Sequence, residues 1–316
     1  MDWWWKEQLD AEGLEVLIHD QGRIVSRAQL FAAGWSEAKI RQPLRARRWQ
    51  VVHPAVYATH TGPLGYDELL LAALLYAGPE AAWSHYTAAE QLGLIKPDGR
   101  RPVYVTIPEH RQIAPRPGLV IHRDRHWAHR LSRAIPPRRT AAHAVLDVVG
   151  RSRTLDEAAA VIAEACQSGR VTAADLLSAV ETRQRLRHRQ ELRPILADVA
   201  AGSHSLLELR YLRDVERRHR LPTGTRQRAV DHEYTDVHYD GLNVELDGRL
   251  HLAPRQRWRD LDRDNRATLR GEATLRYGWF DITSRPCAAA VQVLQALRHR
   301  APVTSARPCS PSCPVR

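Results

Sequence analysis

The chain has 316 residues, enough for two or three domains, because a single hydrophobic core usually stops growing short of that length. Its 43% hydrophobic and 26% charged content is that of a globular protein, and no apolar run is long enough to cross a bilayer. The opening residues, Met1-Asp2-Trp3-Trp4-Trp5-Lys6, lack a basic lead followed by an apolar stretch and do not read as a secretion signal, so a cytoplasmic protein with no membrane partner is expected.

The formal charge is +11 and the pI about 10.0. Nearly all of the positive charge is arginine, with lysine at positions 6, 39 and 96 alone. Arginine suits polyanions because its planar fork donates two hydrogen bonds at once to a phosphate. A coding bias that fills solvated faces with arginine gives the same total. Four cysteines, Cys166, Cys287, Cys309 and Cys313, are too sparse for a disulfide framework. Cys309 and Cys313 stand in a Pro-rich stretch and supply at most half of a zinc site, so residues 301–316 are expected to be a disordered tail with reduced thiols.

In chain order, residues 1–61 carry the first organised segment. Ser26-Arg-Ala-Gln29 has the capping-box pattern, and Gly34 would end the short helix that it opens. Ser36 caps a second helix with Ile40 and Leu44 one turn apart, facing inward. The β-rich run from Trp49 to Tyr57, broken by Pro54, suits a small wing hairpin. Together these elements predict a winged helix-turn-helix. Lys39, Arg41, Arg45, Arg47 and Arg48 fall on and just beyond the exposed side of the second helix. Residues 23–48 hold seven basic residues against the single acid Glu37. Such a helix can bind phosphates and reach base edges, although a winged helix can also serve protein contacts alone.

Residues 62–201 read as a mixed α/β region: an apolar helix at 66–76, strands at 102–108 and 118–122, and helices at 139–149, 154–166 and 173–180. Dense charge over 183–193 suggests a solvated helical linker. Ser84, His85 and Asp147 invite a hydrolytic triad, but no nucleophile-elbow context surrounds Ser84.

Residues 202–300 carry the acidic chemistry, in the predicted order helix, three strands, helix, strand, helix. Asp240-Gly241 between two alternating runs is a strong hairpin signal. The register that it sets opposes Tyr239 to Leu242, Val237 to Val244 and Asp236 to Glu245. Val237, Tyr239, Leu242, Val244 and Leu246 then share the core face with Thr235, and Tyr234, Asp236, His238, Asn243, Glu245 and Asp247 share the other. Three carboxylates on one face repel unless a cation is shared, and hard oxygen ligands suit Mg²⁺ or Mn²⁺. Ordinary surface charge is the alternative, against which stands the absence of Lys or Arg between Asp231 and Gly248. His251 shares the acidic face if the strand continues, as a proton donor or acceptor, or is a loop histidine. Glu208 completes the metal shell or simply closes the capping box Ser205-Leu-Leu-Glu208.

The order α-β-β-β-α-β, with an acid on the first helix and Asp…Glu-x-Asp on the hairpin, resembles the PD-(D/E)XK nuclease superfamily. The runs Tyr234-Thr-Asp-Val-His-Tyr239, Val244-Glu-Leu-Asp-Gly248…His251, Asp260-x-x-Arg263-Asp264-Asn265 and Leu275-Arg-Tyr-Gly-Trp279 are similar to a bacterial family related to very-short-patch-repair endonucleases. The resemblance implies metal ligation by Asp236 and Glu245, assisted by Glu208 and Asp247; Arg263 and Asp264, on the following predicted helix, are read as bracing the site or touching backbone phosphate. Asp247 stands where many superfamily members carry a catalytic lysine, although the repair-endonuclease branch also departs from lysine and relies on histidine. The N-terminal segment resembles the winged helix of AbiEi-type antitoxins, which implies DNA as a partner, a role in phage defence and a cognate toxin. The expected protein is thus mixed α/β, with a DNA-binding N-terminus and a metal-dependent endonuclease domain. Its rival is a non-enzymatic antitoxin or regulator with an inactive nuclease-like domain.

Overall fold

The computed structural model describes residues 10–200, 205–230, 233–247 and 268–316, which form a mixed α+β protein in two compact units, Met1–Arg151 and Ser152–Arg316. Among the described residues no helix is long and apolar enough to cross a membrane.

The first unit begins with α1 (Ala11–Asp20), β1 (Ile24–Ser26), α2 (Arg27–Ala32), α3 (Glu37–Arg45), β2 (Gln50–His53) and β3 (Val56–Ala58). Local hydrogen bonds set the helix starts. Ser26 Oγ accepts from Gln29 N (3.2 Å) while Gln29 Oε1 accepts from Ser26 N (2.9 Å), which closes the expected capping box. Ser36 Oγ accepts from Lys39 N (3.2 Å), so α3 also starts where the sequence places it. Strand β3 lies between β1 and β2, antiparallel to both. Leu14, Val25, Leu30, Ile40 and Tyr57 form one buried cluster beneath the helices, with Trp35, Leu44 and Trp49 packed at its margin.

The rest of this unit is α4 (Tyr66–Ala77), β4 (Ala82–Trp83), α5 (His85–Gln91), β5 (Val103–Pro108), β6 (Leu119–Asp124) and α6 (Ala141–Val149). Every residue of β5 is buried, because β5 is the middle strand, antiparallel to β4 and parallel to β6.

The second unit opens with three helices, α7 (Leu155–Gln167), α8 (Ala173–Glu181) and α9 (Arg189–Ala200). In sequence these helices group with the middle region, yet α7 packs on both α9 and the following helix, and Arg217 Nη1 donates to Asp198 (2.7 Å). That helix, α10 (Leu206–Arg210), continues as a π-helical stretch over Tyr211–Arg217. Then come β7 (Thr225–Val230), β8 (Glu233–Tyr239), β9 (Leu242–Asp247), β10 (Ala273–Gly278), α11 (Trp279–Ser284) and α12 (Pro286–Arg298).

The four strands form one sheet in the order β10-β9-β8-β7, in which β9 and β10 are parallel and the other pairs antiparallel. Leu207, Tyr211 and Val215 meet Val237, Tyr239, Leu242 and Val244 from the sheet, and Ala290, Val293 and Leu294 from α12, in a single core cluster. This is the core face expected from the alternation of β8 and β9.

Beside that core lies a buried ion pair. Glu216, 1% exposed, accepts from Arg226 Nη1 (3.1 Å) and Nη2 (2.6 Å), from Gly224 N (3.2 Å), and from the Tyr239 hydroxyl, which in turn meets the Tyr211 hydroxyl (2.9 Å). Each charge is paired and hydrogen-bonded, the condition under which a buried carboxylate is tolerated.

The last segment corrects an expectation. Residues 301–316 have no regular secondary structure, but Ala306, Cys313 and Val315 are buried in the same core cluster, and Arg307 N donates to the His219 carbonyl (2.9 Å). Apolar side chains spaced along an otherwise polar, Pro-rich run carry no periodicity from which docking can be read. The stretch is therefore a packed C-terminal strap, not a disordered tail.

Candidate functional site

The hairpin forms as expected: Gly241 takes φ 71, and β8 pairs with β9 as Val237↔Val244, His238↔Asn243 and Tyr239↔Leu242. The ladder stops one pair short of Asp236 and Glu245. Instead of facing Glu245 across a regular pair, the Asp236 carboxylate reaches over to β9, where Oδ2 accepts from Leu246 N (2.7 Å). That bond gives the Asp236 carboxylate a backbone partner and a fixed direction.

Two of the expected carboxylates, from α10 and β8, meet on one side chain here, and a third, Glu245, lies on the adjoining strand β9. Glu208 enters from α10, whose start is capped by Ser205 Oγ accepting from Glu208 N (3.1 Å). Glu208 is buried, 4% exposed. Glu208 Oε2 and Asp236 Oδ1 both accept from one nitrogen, Gln227 Nε2, at 3.4 and 3.3 Å. The Glu208 carboxylate is thus shared with the sheet. Glu245 is 6% exposed on the central strand β9. Asp247 ends β9 in register with Gly278 of β10. His251, Arg263 and Asp264 lie outside the described residues.

Gln227 carries no motif that would mark it in the sequence. It sits on β7 between the pairs Arg226↔Val237 and Arg228↔Thr235, opposite Asp236, and its φ is 49. A left-handed backbone at a non-glycine residue inside a strand costs on the order of 1–3 kcal/mol and persists only where its surroundings over-determine it. Here the amide hydrogens, the positive end of the side-chain dipole, stand between two carboxylates. Carboxylate oxygens are the donors that a hard divalent cation of the Mg²⁺ or Mn²⁺ kind takes.

The neighbouring strands also bring basic groups that the hairpin lacks. Arg276 on β10 is in register with Glu245. On β7, Arg228 Nη1 reaches the His238 ring and lies 3.4 Å from Glu272, and His238 Nδ1 meets Asn243 Oδ1 (2.8 Å). Asn243 Nδ2 then donates to Glu272 (3.0 Å). Burial would raise the Glu272 carboxyl, but the Asn243 amide and Arg270 outweigh it and hold the group below the usual carboxylate range. His238 and Asn243 thus belong to a polar network beside the acids.

In the first unit, Lys39, Arg41, Arg45, Arg47 and Arg48 are all exposed on α3 and the turn after it. Lys39 lies over the Trp35 ring (4.4 Å) and Arg41 is 3.7 Å from Glu37 one turn away.

Ser84, His85 and Asp147 do come together, but not as a catalytic triad. Ser84 Oγ and Asp147 Oδ2 both approach the same ring atom, His85 Nδ1, at 3.0 and 3.7 Å. A hydrolytic relay needs the serine on one ring nitrogen and the acid on the other. Ser84 is fully buried, and Asp147 accepts from Arg139 Nε (3.1 Å).

No protein-family model matches the chain, and comparison with curated proteins also finds no match.

Proposed function

We propose that the second unit is a metal-dependent DNA endonuclease of the restriction-endonuclease-like class, and that the first unit supplies a winged helix-turn-helix that holds the DNA. The observation that carries this reading is the meeting of Glu208 and Asp236 on Gln227 Nε2, beside buried Glu245, at the centre of a helix-backed mixed sheet. The order α1-β1-α2-α3-β2-β3 supports the winged helix, with α3 as the helix that enters the groove and β2–β3 as the wing.

Glu208, Asp236 and Glu245 would hold Mg²⁺ or Mn²⁺, and the ion would polarise a phosphodiester and lower the pKa of the attacking water. Asp236, anchored by Leu246 N, keeps one oxygen in a fixed direction, and Gln227 sets the spacing between the helix and strand acids. The sequence resemblance adds Asp247 to the shell, His251 as the proton-transfer group and Arg263 as a phosphate contact. It also suggests a place in phage defence beside a cognate toxin.

A second reading, a non-enzymatic DNA-binding antitoxin or regulator, is favoured by one observation: Arg276 stands in register with Glu245, where it can neutralise a carboxylate without metal. The two are separated by incubating full-length protein with supercoiled plasmid and oligonucleotide duplexes in Mg²⁺ or Mn²⁺. The nuclease reading expects nicking or cleavage that disappears with chelator and falls by at least about 100-fold in Asp236→Asn and Glu245→Gln, the scale of losing electrostatic stabilisation in the transition state. Binding without cleavage in either metal would establish the regulator instead. Cleavage that survives both substitutions would overturn the site assignment.

A further inference from the structure

A second, chemically different cluster lies in the same unit, built from residues far apart in sequence. His219 follows the π-helical stretch, Cys287 is the second residue of α12, and Cys309 and Cys313 stand in the C-terminal strap. Their ligand atoms all lie within 4.8 Å of one another. His219 Nε2 is 3.4 Å from Cys287 Sγ, and Cys287 Sγ is 3.5 Å from Cys309 Sγ.

We propose that His219, Cys287, Cys309 and Cys313 form a structural zinc site that clips the C-terminal strap to the core of the second unit.

Four observations carry this. The spacings fit: zinc–sulfur bonds of about 2.3 Å and zinc–nitrogen bonds of about 2.0–2.1 Å in a tetrahedron put neighbouring ligand atoms roughly 3.5–3.8 Å apart. The histidine is oriented for ligation. Its Nδ1–H donates to the Val215 carbonyl (3.0 Å), which fixes the tautomer and turns the Nε2 lone pair toward the sulfurs. A ligating histidine commonly has such an outer hydrogen bond. Cys309-Ser-Pro-Ser-Cys313 has three residues between its cysteines, within the usual zinc spacing, and Cys313 N donates to the Ser310 carbonyl (3.0 Å), closing the turn between them. Finally, the strap packs without regular secondary structure to hold it. Val315 is fully buried two residues beyond Cys313, and Arg307 N is tied to the backbone of the ligand His219 itself.

The donor set decides the ion. Three thiolates and one imidazole are soft to borderline ligands, suited to Zn²⁺ and unsuited to Mg²⁺ or Mn²⁺. Four protein ligands leave no open position for substrate, which assigns the ion a structural role. A disulfide is the competing use of these cysteines. It would join two sulfurs and leave the third cysteine and the oriented histidine without a purpose, and all four cysteines of the chain are free in the structure. The site uses none of the residues proposed for phosphodiester cleavage.

The test uses full-length protein purified without chelator. Elemental analysis should find about one zinc per chain. Titration with an organomercurial thiol reagent should release that zinc in step with thiol modification. Exchange for Co²⁺ should give intense d–d bands of tetrahedral geometry together with sulfur-to-cobalt charge transfer. Cys309→Ser with Cys313→Ser should lose the metal and lower Tm, while Cys166→Ser should keep both. Zinc well below stoichiometry together with no tetrahedral cobalt spectrum would overturn the proposal. So would an intact mass two hydrogens short in metal-free protein, which would assign the cysteines to a disulfide. The release and cobalt experiments need only the wild-type chain, so the result stands even if the double variant fails to fold.

Discussion

Some positions in the second unit are decided by a single atom. Gly224 sits where β7 begins to pair, and a Cβ there would lie 2.4 Å from Val237 Cγ1 and 3.1 Å from the His238 carbonyl oxygen. The first neighbour is a short, β-branched core side chain and the second is backbone, so neither can swing away. The same glycine gives its N–H to Glu216. Gly224→Ala is therefore expected to cost about 1–3 kcal/mol, the usual penalty for overpacking a filled core. Urea denaturation reads it directly, and a midpoint equal to that of wild type would mean that the loop before β7 yields more easily than its neighbours suggest. Gln227 illustrates a different residue-scale decision, in which unfavourable backbone geometry is kept where a side-chain amide joins two acids.

At the scale of the element, α3 carries a surface suited to a polyanion. Ile40 and Pro43 are buried on its inner side, whereas Lys39, Arg41 and Arg45 are exposed, followed by Arg47 and Arg48. Exposed arginines that neutralise phosphates release counterions on binding, so affinity should fall steeply with salt. In Arg41→Ala with Arg45→Ala, DNA affinity should drop, and the slope of log K against log salt should flatten by about 0.9 for each phosphate that is no longer neutralised. Fluorescence anisotropy over a salt series measures both. An unchanged slope would remove α3 from the DNA-reading role. The hairpin β8–β9 is the other informative element. Its turn and core face follow from alternation and Asp240-Gly241, while the end of its ladder is set by Asp236 turning to Leu246 N.

At the scale of the whole molecule, each unit has its own buried polar centre, and the first makes folding sensitive to acid. Burial lowers the His85 pKa to about 3; Asp147 opposes that shift, while His122, stacked 3.8 Å away, and Arg139 and Arg151 add to it. An unfolded histidine titrates near 6.5. Between those values the unfolded chain takes up a proton that the folded chain refuses. The contribution of His85 to stability is therefore complete above about pH 6.5 and is lost as pH falls toward 3, by at most about 1.4 kcal/mol per pH unit. His85→Asn should flatten this loss, because asparagine does not titrate and tolerates the φ of 49 found there. Thermal melts between pH 7 and 4 test it. Parallel stability profiles for the two proteins would show that another group sets the acid limit.

What the sequence by itself determined is what short-range forces determine. The caps at Ser26, Ser36 and Ser205 act across three residues, the hairpin turn across two, and the core face of β8 and β9 follows from a period of two. Asp236 and Glu245 could be named together because they belong to one hairpin, although the ladder stops one pair short of joining them. The tertiary structure alone decided the rest. Arg276 reaches the register of Glu245 only through a parallel pairing, whose offset depends on the crossover and its packing and not on a local turn. Gln227 meets Glu208 because α10 is laid against the sheet by apolar side chains common to many possible packings. His219 and Cys287 are 68 residues apart, and the strap that brings Cys309 and Cys313 to them has no period to betray its docking. Side-chain chemistry names the possible ligands, but bringing them within bonding distance requires closing long loops, and only the packed core offsets that entropy.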